Sequence, residues 1–271
     1  MKFSIVTPSF NQGRFLRDCI ESVQAQTLVE WEHIVIDAGS TDETLDVLKA
    51  HPHLQWISEP DKGQSDGINK GFRRATGDWV MWLNGDDYLL PGALARVAAV
   101  AEQHPEADVI YGGWEFVDAE KRVTKRIKIF PVDVRMLVHM GAYIGSTSCF
   151  FRRATTIGEG FLLNIHFRQV MDMEYHARLG CAGKRFVYLP EILAAFRIHG
   201  GNLSFQSITG SDIDNVLKRH RHYAEAAAVR RVYGITLFGE PFADGVVDAF
   251  LWYYFRVKKV VLKLLHGSYR T

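Results

Sequence analysis

The feature that most constrains the fold is an uninterrupted apolar run, Trp79-Val80-Met81-Trp82-Leu83, which stops at the polar cluster Asn84-Gly85-Asp86-Asp87. An apolar run without alternation is typical of a strand buried on both faces, and such strands lie in sheets covered by helices. In open α/β sheets, ligands bind beyond the carboxyl ends of the strands. The run therefore predicts a helix-covered sheet with acids at its ligand-binding edge. Because Asn, Gly and Asp also favour turns for backbone reasons, an ordinary acidic turn stays open at this point.

The first hundred residues alternate between apolar strands and amphipathic helices. Apolar runs predict strands over 3–7, 33–37, 54–57 and 79–83. Helical spacing of apolar residues predicts helices over 15–23, 65–75 and 92–103. Ser40 precedes Glu43 by three residues, a capping-box pattern that predicts the start of a further helix. Strands that alternate with helices favour a mostly parallel sheet.

Beyond residue 112 the alternation is less regular. Residues 114–130 predict a hairpin with a solvated basic face, 146–151 a strand and 170–179 a helix, and from about residue 206 the sequence is helical and locally basic. We therefore expect an α/β fold with a mostly parallel central sheet flanked by helices, a mixed second half and a helical C-terminal tail. The expected divisions are residues 1–112, 113–205 and 206–271.

Composition limits the partners and the compartment. The chain has 271 residues and a formal net charge of +1, which gives no overall reason to expect a nucleic-acid partner. Its three cysteines are widely separated and lack metal-ligand spacing, which predicts a reducing, cytoplasmic compartment. We expect no secretory signal, and no uncharged stretch is long enough to cross a bilayer.

Three acidic segments follow one another in a characteristic order. They are Asp37-Ala38-Gly39-Ser40-Thr41-Asp42, Asn84-Gly85-Asp86-Asp87 and the segment around Asp172. Over roughly residues 1–205 this ordered series resembles the family-two glycosyltransferases. The resemblance implies a GT-A fold and transfer of a sugar from a nucleotide donor with inversion of configuration. In that scheme residues 1–112 bind the nucleotide sugar, 113–205 bind the acceptor and carry the catalytic base, and 206–271 form an extension.

The resemblance assigns nucleotide contacts to the first two strand ends. Thr7 and Asn11 belong to the segment that resembles the family's first nucleotide-contacting loop, and Phe10 is expected near the base. Asp37 matches the acid that accepts a hydrogen bond from the base, since an ionised carboxylate only accepts. The alternative for Asp37 is a turn residue that caps a helix, a task that Ser40 could also perform.

The segment Asp61 to Gly71 resembles the family's loop and helix beneath the donor. By this resemblance Lys62 meets a phosphate and Asp66 a polar edge of the nucleotide. A solvated loop followed by a capped helix explains these two residues equally well.

The strand end at Asn84 occupies the family's Asp-x-Asp position, with Asn in place of the first acid. The resemblance implies that Asn84 contacts the ribose, that Asp86 holds a divalent Mn²⁺ or Mg²⁺ and that Asp87 supports the metal or meets the donor sugar. His199, which precedes a Gly-rich turn, matches a late His that completes the metal or diphosphate site, and neutral imidazole is an acceptable metal ligand. The missing acid reduces the local negative charge, which weakens the expected affinity for a metal.

Asp172 matches the second acid of the family's Glu-Asp motif, whose first acid is Met171 here. It corresponds to the general base, because inverting transfer needs a carboxylate near the acceptor hydroxyl. Glu174 would point elsewhere on a helix, and Arg178 is expected as a structural ion-pair partner. The alternative for Asp172 is an acid on a helix surface.

The C-terminal tail over residues 246–265 places aromatic residues beside four basic ones. This pattern suits a helix at a bilayer interface, on the inner membrane face, and equally a helix packed on protein or in a homodimer. Four cations and Asp248 argue against a spanning helix.

The sequence thus predicts an inverting glycosyltransferase that uses a UDP- or GDP-sugar, with a sugar or lipid-linked sugar as acceptor, in polysaccharide or glycolipid biosynthesis. Two alternatives stay open. A non-catalytic sugar- or nucleotide-binding scaffold fits the loss of two family acids. A nucleotidyltransferase fits less well, because the loop after the first strand lacks a Gly-rich, Arg- or Lys-bearing pattern.

Overall fold

The computed structural model describes residues 1–140, 143–200, 202, 213–233, 236–237, 240–241 and 245–265. The strands are β1 Lys2–Ser9, β2 Glu30–Asp37, β3 Gln55–Ser58, β4 Trp79–Trp82, β5 Tyr88–Leu89, β6 Val109–Val117, β7 Val123–Ile127, β8 Cys149–Arg152, β9 Phe186–Arg197, β10 Thr236–Leu237 and β11 Glu240–Pro241. The helices are α1 Gly13–Gln24, α2 Thr44–Lys49, α3 Gln64–Arg74, α4 Ala93–Gln103, α5 Val134–Met140, α6 Met171–Cys181, α7 Ile213–Tyr233 and α8 Gly245–Leu265.

The main sheet has the strand order β3-β2-β1-β4-β8-β6-β9-β5, and β7 pairs with β6. Strands β3, β2, β1 and β4 are parallel, as are β6 and β9, whereas β5, β7 and β8 run antiparallel to their neighbours. The predicted α/β fold, with a parallel first half and a mixed second half, is confirmed. The division at residues 112 and 205 stays a prediction.

Strand β4 is buried on both faces, as its apolar run predicts. Val80 and Trp82 pack on one side of the sheet together with Val6, while Trp79 and Met81 pack in a separate core on the other side. Successive side chains of a strand point to opposite faces, so the helices on both sides of the sheet pack against side chains of the same strand. The sheet register then places Ser9 opposite Asp37 and Val6 opposite Trp82, which brings three strand ends to one edge.

The predicted hairpin is present as β6 and β7, and the side chains of residues 123–126 are exposed, as expected for a solvated basic face. The predicted strand over 146–151 is correct only in part, because Ser146–Ser148 form a 3₁₀ turn before β8. Strand β9 runs without a break from Phe186 and ends two residues before His199.

The predicted capping box at Ser40 is wrong. Helix α2 begins at Thr44, and the Ser40 hydroxyl donates to the buried Asp37 carboxylate instead of capping the helix. The Ser40 oxygen, which would accept from a helix N–H as a cap, accepts from the Asn11 N–H instead, at 2.7 Å. Asp42 replaces Ser40 as the local cap and accepts hydrogen bonds from the Thr44 N–H and the Gly13 N–H, each at 3.0 Å.

The C-terminal helices pack on the second half of the sheet domain. Ala226 and Val229 of α7 belong to the main core, and Phe255 of α8 stacks on His139 of α5 with ring centroids 5.5 Å apart. Within the residues that the structure describes, no helix is long and apolar enough to span a membrane. The side chains of residues 246–252, part of the predicted tail, and residues 206–212 lie outside the described part.

Candidate active site

A cavity of about 780 Å³ opens at the edge of the sheet where β1, β2 and β4 end. Its wall comes from the β1–α1 loop, Ala38 after β2, residues 60–64 before and at the start of α3, and Asn84 and Asp86 after β4. Arg168, Phe196 and Asn202 close it from the second half of the chain. The size suits a small-molecule ligand, and the position is where parallel α/β sheets bind one.

Four of the predicted contact residues line this cavity: Phe10, Lys62, Asn84 and Asp86. Phe10 is 59% exposed, although it is a large aromatic residue. An exposed aromatic ring on a cavity wall is a suitable stacking surface for a flat base. Asn84 is held on both sides of its amide, because Gln64 donates to its Oδ1 at 2.7 Å and its Nδ2 donates to Asp87 at 3.2 Å.

Asp86 lines the cavity and contacts His199, which does not itself line the cavity, although 113 residues separate the two in sequence. The His199 Nε2 lies 3.0 Å from Asp86 Oδ2, and the Asn202 amide donates to the same oxygen at 3.0 Å. Phe15 packs against the His199 ring with centroids 4.5 Å apart and so fixes its orientation. Within the described residues, no group of three or more His, Cys, Asp or Glu side chains is arranged to hold a metal ion.

Asp87 does not line the cavity, and its expected support of the metal or contact with the donor sugar stays a prediction. Its carboxylate is buried and accepts hydrogen bonds from the Thr147 hydroxyl at 2.9 Å and the Arg197 N–H at 3.0 Å, in addition to Asn84. Burial raises the pKa of Asp87 well above its ordinary value, and the adjacent charge of Asp86 raises it further. Asp87 therefore ties the end of β4 to β9 and to the turn before β8.

Asp37 is fully buried, and its carboxylate already has partners within the chain. It accepts hydrogen bonds from the Gly39 and Ser40 N–H groups and from the hydroxyls of Ser40 and Ser58. The next residue, Ala38, lines the cavity in its place. In this conformation Asp37 stabilises the turn after β2, and its predicted contact with a base stays a prediction.

Three further predicted contacts, Thr7, Asn11 and Asp66, do not line the cavity but shape it. The buried Thr7 hydroxyl pairs with His33 Nε2 at 2.8 Å. Asn11 has a left-handed backbone (φ 51°) and accepts a hydrogen bond from the Thr41 N–H, which joins the loops after β1 and β2. Asp66 accepts one from the Lys62 N–H at 3.1 Å and so holds the cavity loop.

Asp172 is the second residue of α6, and its Oδ1 accepts a hydrogen bond from the Met173 N–H at 2.8 Å. The surrounding protein desolvates the carboxyl and raises its pKa above the ordinary value. The neighbouring Met171 receives a hydrogen bond from the Ser65 hydroxyl at 3.0 Å, which anchors α6 beside the start of α3. Arg178 pairs with Glu174 at 2.8 Å, which confirms it as a structural ion-pair partner.

The model of the family described as glycosyl transferase family 2 matches residues 4–180. The chain belongs to glycosyl transferase family 2. A PGL/p-HBAD biosynthesis glycosyltransferase from Mycobacterium bovis is 32% identical over 212 residues, covering 73% of this chain and 78% of that protein. A chondroitin synthase from Escherichia coli is 26% identical over 209 residues, covering 76% of this chain and 30% of that protein.

Solved structures confirm the predicted GT-A fold of this family 2 chain. Residues 1–349 of S. aureus TarS in complex with UDP match it with a TM-score of 0.64 at 19% identity, covering all of this chain and 91% of that one. A mannosyltransferase from Pyrobaculum calidifontis, in complex with GDP-Man and Mn²⁺, matches with a TM-score of 0.62 at 15% identity, covering 97% and 75%.

Several residues that line the cavity of this family 2 chain were not predicted from the sequence. Gln64 lies within the segment already assigned to the donor, and Asn202 lies within the Gly-rich turn after His199. The motifs around these two residues could therefore have predicted them. Arg168 stands in no motif and could not have been found. Its exposed guanidinium adds a second cation, beside that of Lys62, to a cavity that also contains carboxylates.

Proposed function

We propose that this chain is an inverting glycosyltransferase that takes a UDP- or GDP-sugar as donor. The observation that carries the proposal is the contact between Asp86, which lines a cavity at the carboxyl edge of the sheet, and His199, whose Nε2 lies 3.0 Å from it. A carboxylate supplies the oxygen ligand that both Mn²⁺ and Mg²⁺ prefer, and a neutral imidazole is an acceptable further ligand for a transition metal such as Mn²⁺. The complexes of the structural relatives with UDP and with GDP-Man and Mn²⁺ support this choice of ligands.

The residues present fit a metal that is shared between protein and donor. Mg²⁺ sites commonly use one or two carboxylates, with the rest from substrate phosphates and water, so Asp86 would supply the oxygen ligand, and His199 would add a nitrogen ligand that suits Mn²⁺ better. When bound, the ion neutralises charge that develops on the departing diphosphate. Lys62 and Arg168 are the cations on the cavity wall that would meet phosphate oxygens.

In the proposed reaction Asp172 removes the proton of the acceptor hydroxyl as its oxygen attacks the anomeric carbon. The new C–O bond forms opposite the bond to the diphosphate, which breaks with its electron pair on phosphate oxygen, so the configuration inverts. The raised pKa of Asp172 suits this task, because a stronger base accepts the proton more readily once it is ionised.

The acceptor is proposed to be a sugar or a lipid-linked sugar in polysaccharide or glycolipid biosynthesis. The name of the chondroitin synthase relative supports a role in polysaccharide assembly. The rival proposal, a non-catalytic nucleotide-binding scaffold, is favoured by Asn84 and Met171, which stand where the family has acids.

Thermal unfolding of the chain with UDP- and GDP-sugars, with and without Mn²⁺, tests the donor site. A ligand at 100 times its Kd stabilises a fold by about 2.7 kcal/mol. We expect stabilisation by one nucleotide class that increases with Mn²⁺, and loss of the Mn²⁺-dependent part in Asp86→Asn. The control is Asp46→Asn, a change at a carboxylate that is 84% exposed. No stabilisation by any donor would refute the donor site.

Catalysis is tested separately from binding. Slow donor hydrolysis without acceptor distinguishes a transferase from a scaffold, and NMR of a transferred product gives the anomeric configuration. Retained configuration would refute the inverting mechanism, and donor binding without any hydrolysis or transfer would favour the scaffold.

We also propose that α8 attaches the protein to the inner face of a membrane. The helix packs Phe255 and Leu262 on the core, yet its other side exposes Tyr253, Tyr254, Val257, Val260, Val261, Leu264 and Leu265. Residues 249–265 contain four cations and no acid, and although Lys258 pairs with Asp133 and Lys259 lies over the Tyr143 ring, the net positive charge of the helix suits an anionic lipid surface and disfavours close pairing with a second copy.

Co-sedimentation with phosphatidylglycerol vesicles tests this attachment. We expect binding that Val261→Glu weakens at least tenfold, while Val232→Glu, at a valine exposed on α7, leaves it unchanged. Equal binding by Val261→Glu, or a dimer that this change dissociates, would refute the membrane proposal.

A further inference from the structure

A carboxylate from the C-terminal extension reaches the segment that precedes α6. Glu225 of α7 accepts hydrogen bonds from three consecutive backbone N–H groups. Arg168 N lies 3.1 and 3.0 Å from its two oxygens, Gln169 N lies 2.8 Å from Oε2, and Val170 N lies 3.2 Å from Oε2. One side chain thus fixes the backbone of the whole turn that leads into α6.

The sequence around this turn has no local means of doing the same. Val170 occupies the position before the first residue of α6, and no side chain of the turn caps the helix. An anion at this end is favoured by the helix dipole and by the unpaired N–H groups there. Ala226 and Val229, which follow Glu225 on α7, are buried in the core. Their packing holds α7 in place, so the Glu225 side chain stays beside the turn before α6.

The turn connects two residues of the proposed reaction, the cavity-lining Arg168 and the base Asp172. Arg168, its first residue, lines the donor cavity, and Asp172 lies two residues after its last. The other end of α7 contacts α6 as well, where the Tyr233 hydroxyl donates to Glu174 at 3.0 Å. That second contact involves neither Arg168 nor the turn before α6, and Glu174 is buried.

We propose that Glu225 is a positioning residue for catalysis, which sets the places of Arg168 and Asp172 by holding the turn between them. The inference rests on the proposed function, since it assigns the extension a part in the same reaction. Removing the charge loosens the turn, so the acceptor hydroxyl and the base are misaligned. A misplacement of about 1 Å can cost about a hundredfold in rate.

The test compares Glu225→Gln, which keeps the shape but removes the charge, with Tyr233→Phe, which removes the other hydrogen bond between the same helices. We expect kcat to fall about ten- to a hundredfold in Glu225→Gln, with faster amide hydrogen exchange confined to residues 168–173. Tyr233→Phe should keep kcat within about twofold of the wild type. Glu225→Asp keeps the charge on a shorter side chain and should recover part of the loss.

Three outcomes would overturn the proposal. The first is an unchanged kcat in Glu225→Gln, and the second is unchanged hydrogen exchange at residues 168–173. The third is an equal loss of kcat in Glu225→Gln and Tyr233→Phe that parallels the fall in their melting temperatures. Failure of the proposed function has a different signature. In that case the wild type transfers no sugar from any donor, while the exchange comparison still decides whether Glu225 holds the turn.

Discussion

Replacing Asp172 by Asn separates chemistry from folding at the proposed base. The hydrogen bond from the Met173 N–H at 2.8 Å can still form, because an amide oxygen is also an acceptor, although a weaker one than a carboxylate. The variant loses only the capacity to take a proton. General-base catalysis contributes about 10²–10⁴-fold to a rate, which equals about 2.7–5.4 kcal/mol of barrier. We expect a fall in kcat of that size and near-normal nucleotide binding.

The same substitution has a predictable effect on stability. Burial raises the pKa of Asp172, so the folded state favours the protonated form. The favourable contribution is present below the ordinary pKa of about 3.8 and is lost as the pH rises through the folded value. Once the pH exceeds the folded pKa, the charged carboxylate therefore costs stability. Asp172→Asn should melt no lower than the wild type at neutral pH, and the difference should vanish towards pH 4.

Glu174 supplies a matched control on the same helix. Its side chain is buried and pairs with Arg178 at 2.8 Å, so Glu174→Gln leaves a guanidinium without its charge partner. A hydrogen bond to a charged group is worth about 2 kcal/mol, which lowers the melting temperature by roughly 4–8 °C in a chain of this size. This variant should lose stability while its kcat stays near that of the wild type.

The assay measures nucleotide release and product formation at saturating donor, with nucleotide affinity determined by calorimetry and melting followed by circular dichroism. A kcat within tenfold of the wild type in Asp172→Asn would show that another group is the base. A parallel loss of nucleotide affinity would show that the residue shapes the donor site instead.

Two further predictions concern the sheet that carries the site. Burial alone would raise the pKa of Glu32, but hydrogen bonds from Ser4 and Thr76 outweigh it and lower the pKa to about 2. At pH values above the ordinary pKa of 4.5, this shift stabilises the fold by about 3 kcal/mol, and the stabilisation is lost as the pH falls towards 2. The free energy of unfolding of Glu32→Gln in urea should therefore depend less on pH between 5 and 3 than that of the wild type. At Gly71 of α3, an added Cβ would lie 2.2 Å from Val6 Cγ1. Gly71→Ala should therefore destabilise the fold by about 1–3 kcal/mol in urea titration, and an unchanged midpoint would contradict the close packing of α3 on β1.

The elements of the first half follow closely from local sequence. The apolar run from Trp79 to Leu83 needs helices on both faces of its sheet whatever the rest of the chain does, and the separate cores around Trp79 and Trp82 meet that need. The second half was less predictable. The turn over Ser146–Ser148 and the unbroken β9 depend on pairing with distant strands, which no local pattern encodes.

The candidate site divides in the same way. Motif order selected Asp86 and His199, and the fold brings them to 3.0 Å. Motif order also selected Asp37 and Asp87, but their carboxylates are buried and have partners within the chain. A sequence motif identifies a strand end, whereas hydrogen bonds from other loops determine which of its side chains face the cavity.

By itself, the sequence determined the α/β alternation and the strand ends that carry acids, because these depend on periodicity and on residues close in the chain. The membership of the chain in glycosyl transferase family 2 rests on a series of motifs in a fixed order along residues 4–180. Only the tertiary structure decided that Arg168 lines the cavity, that Asp37 faces the protein and that Glu225 holds the turn before α6. Those contacts join residues from separate elements. Their formation depends on the packing of helices and strands in three dimensions, which no local pattern specifies.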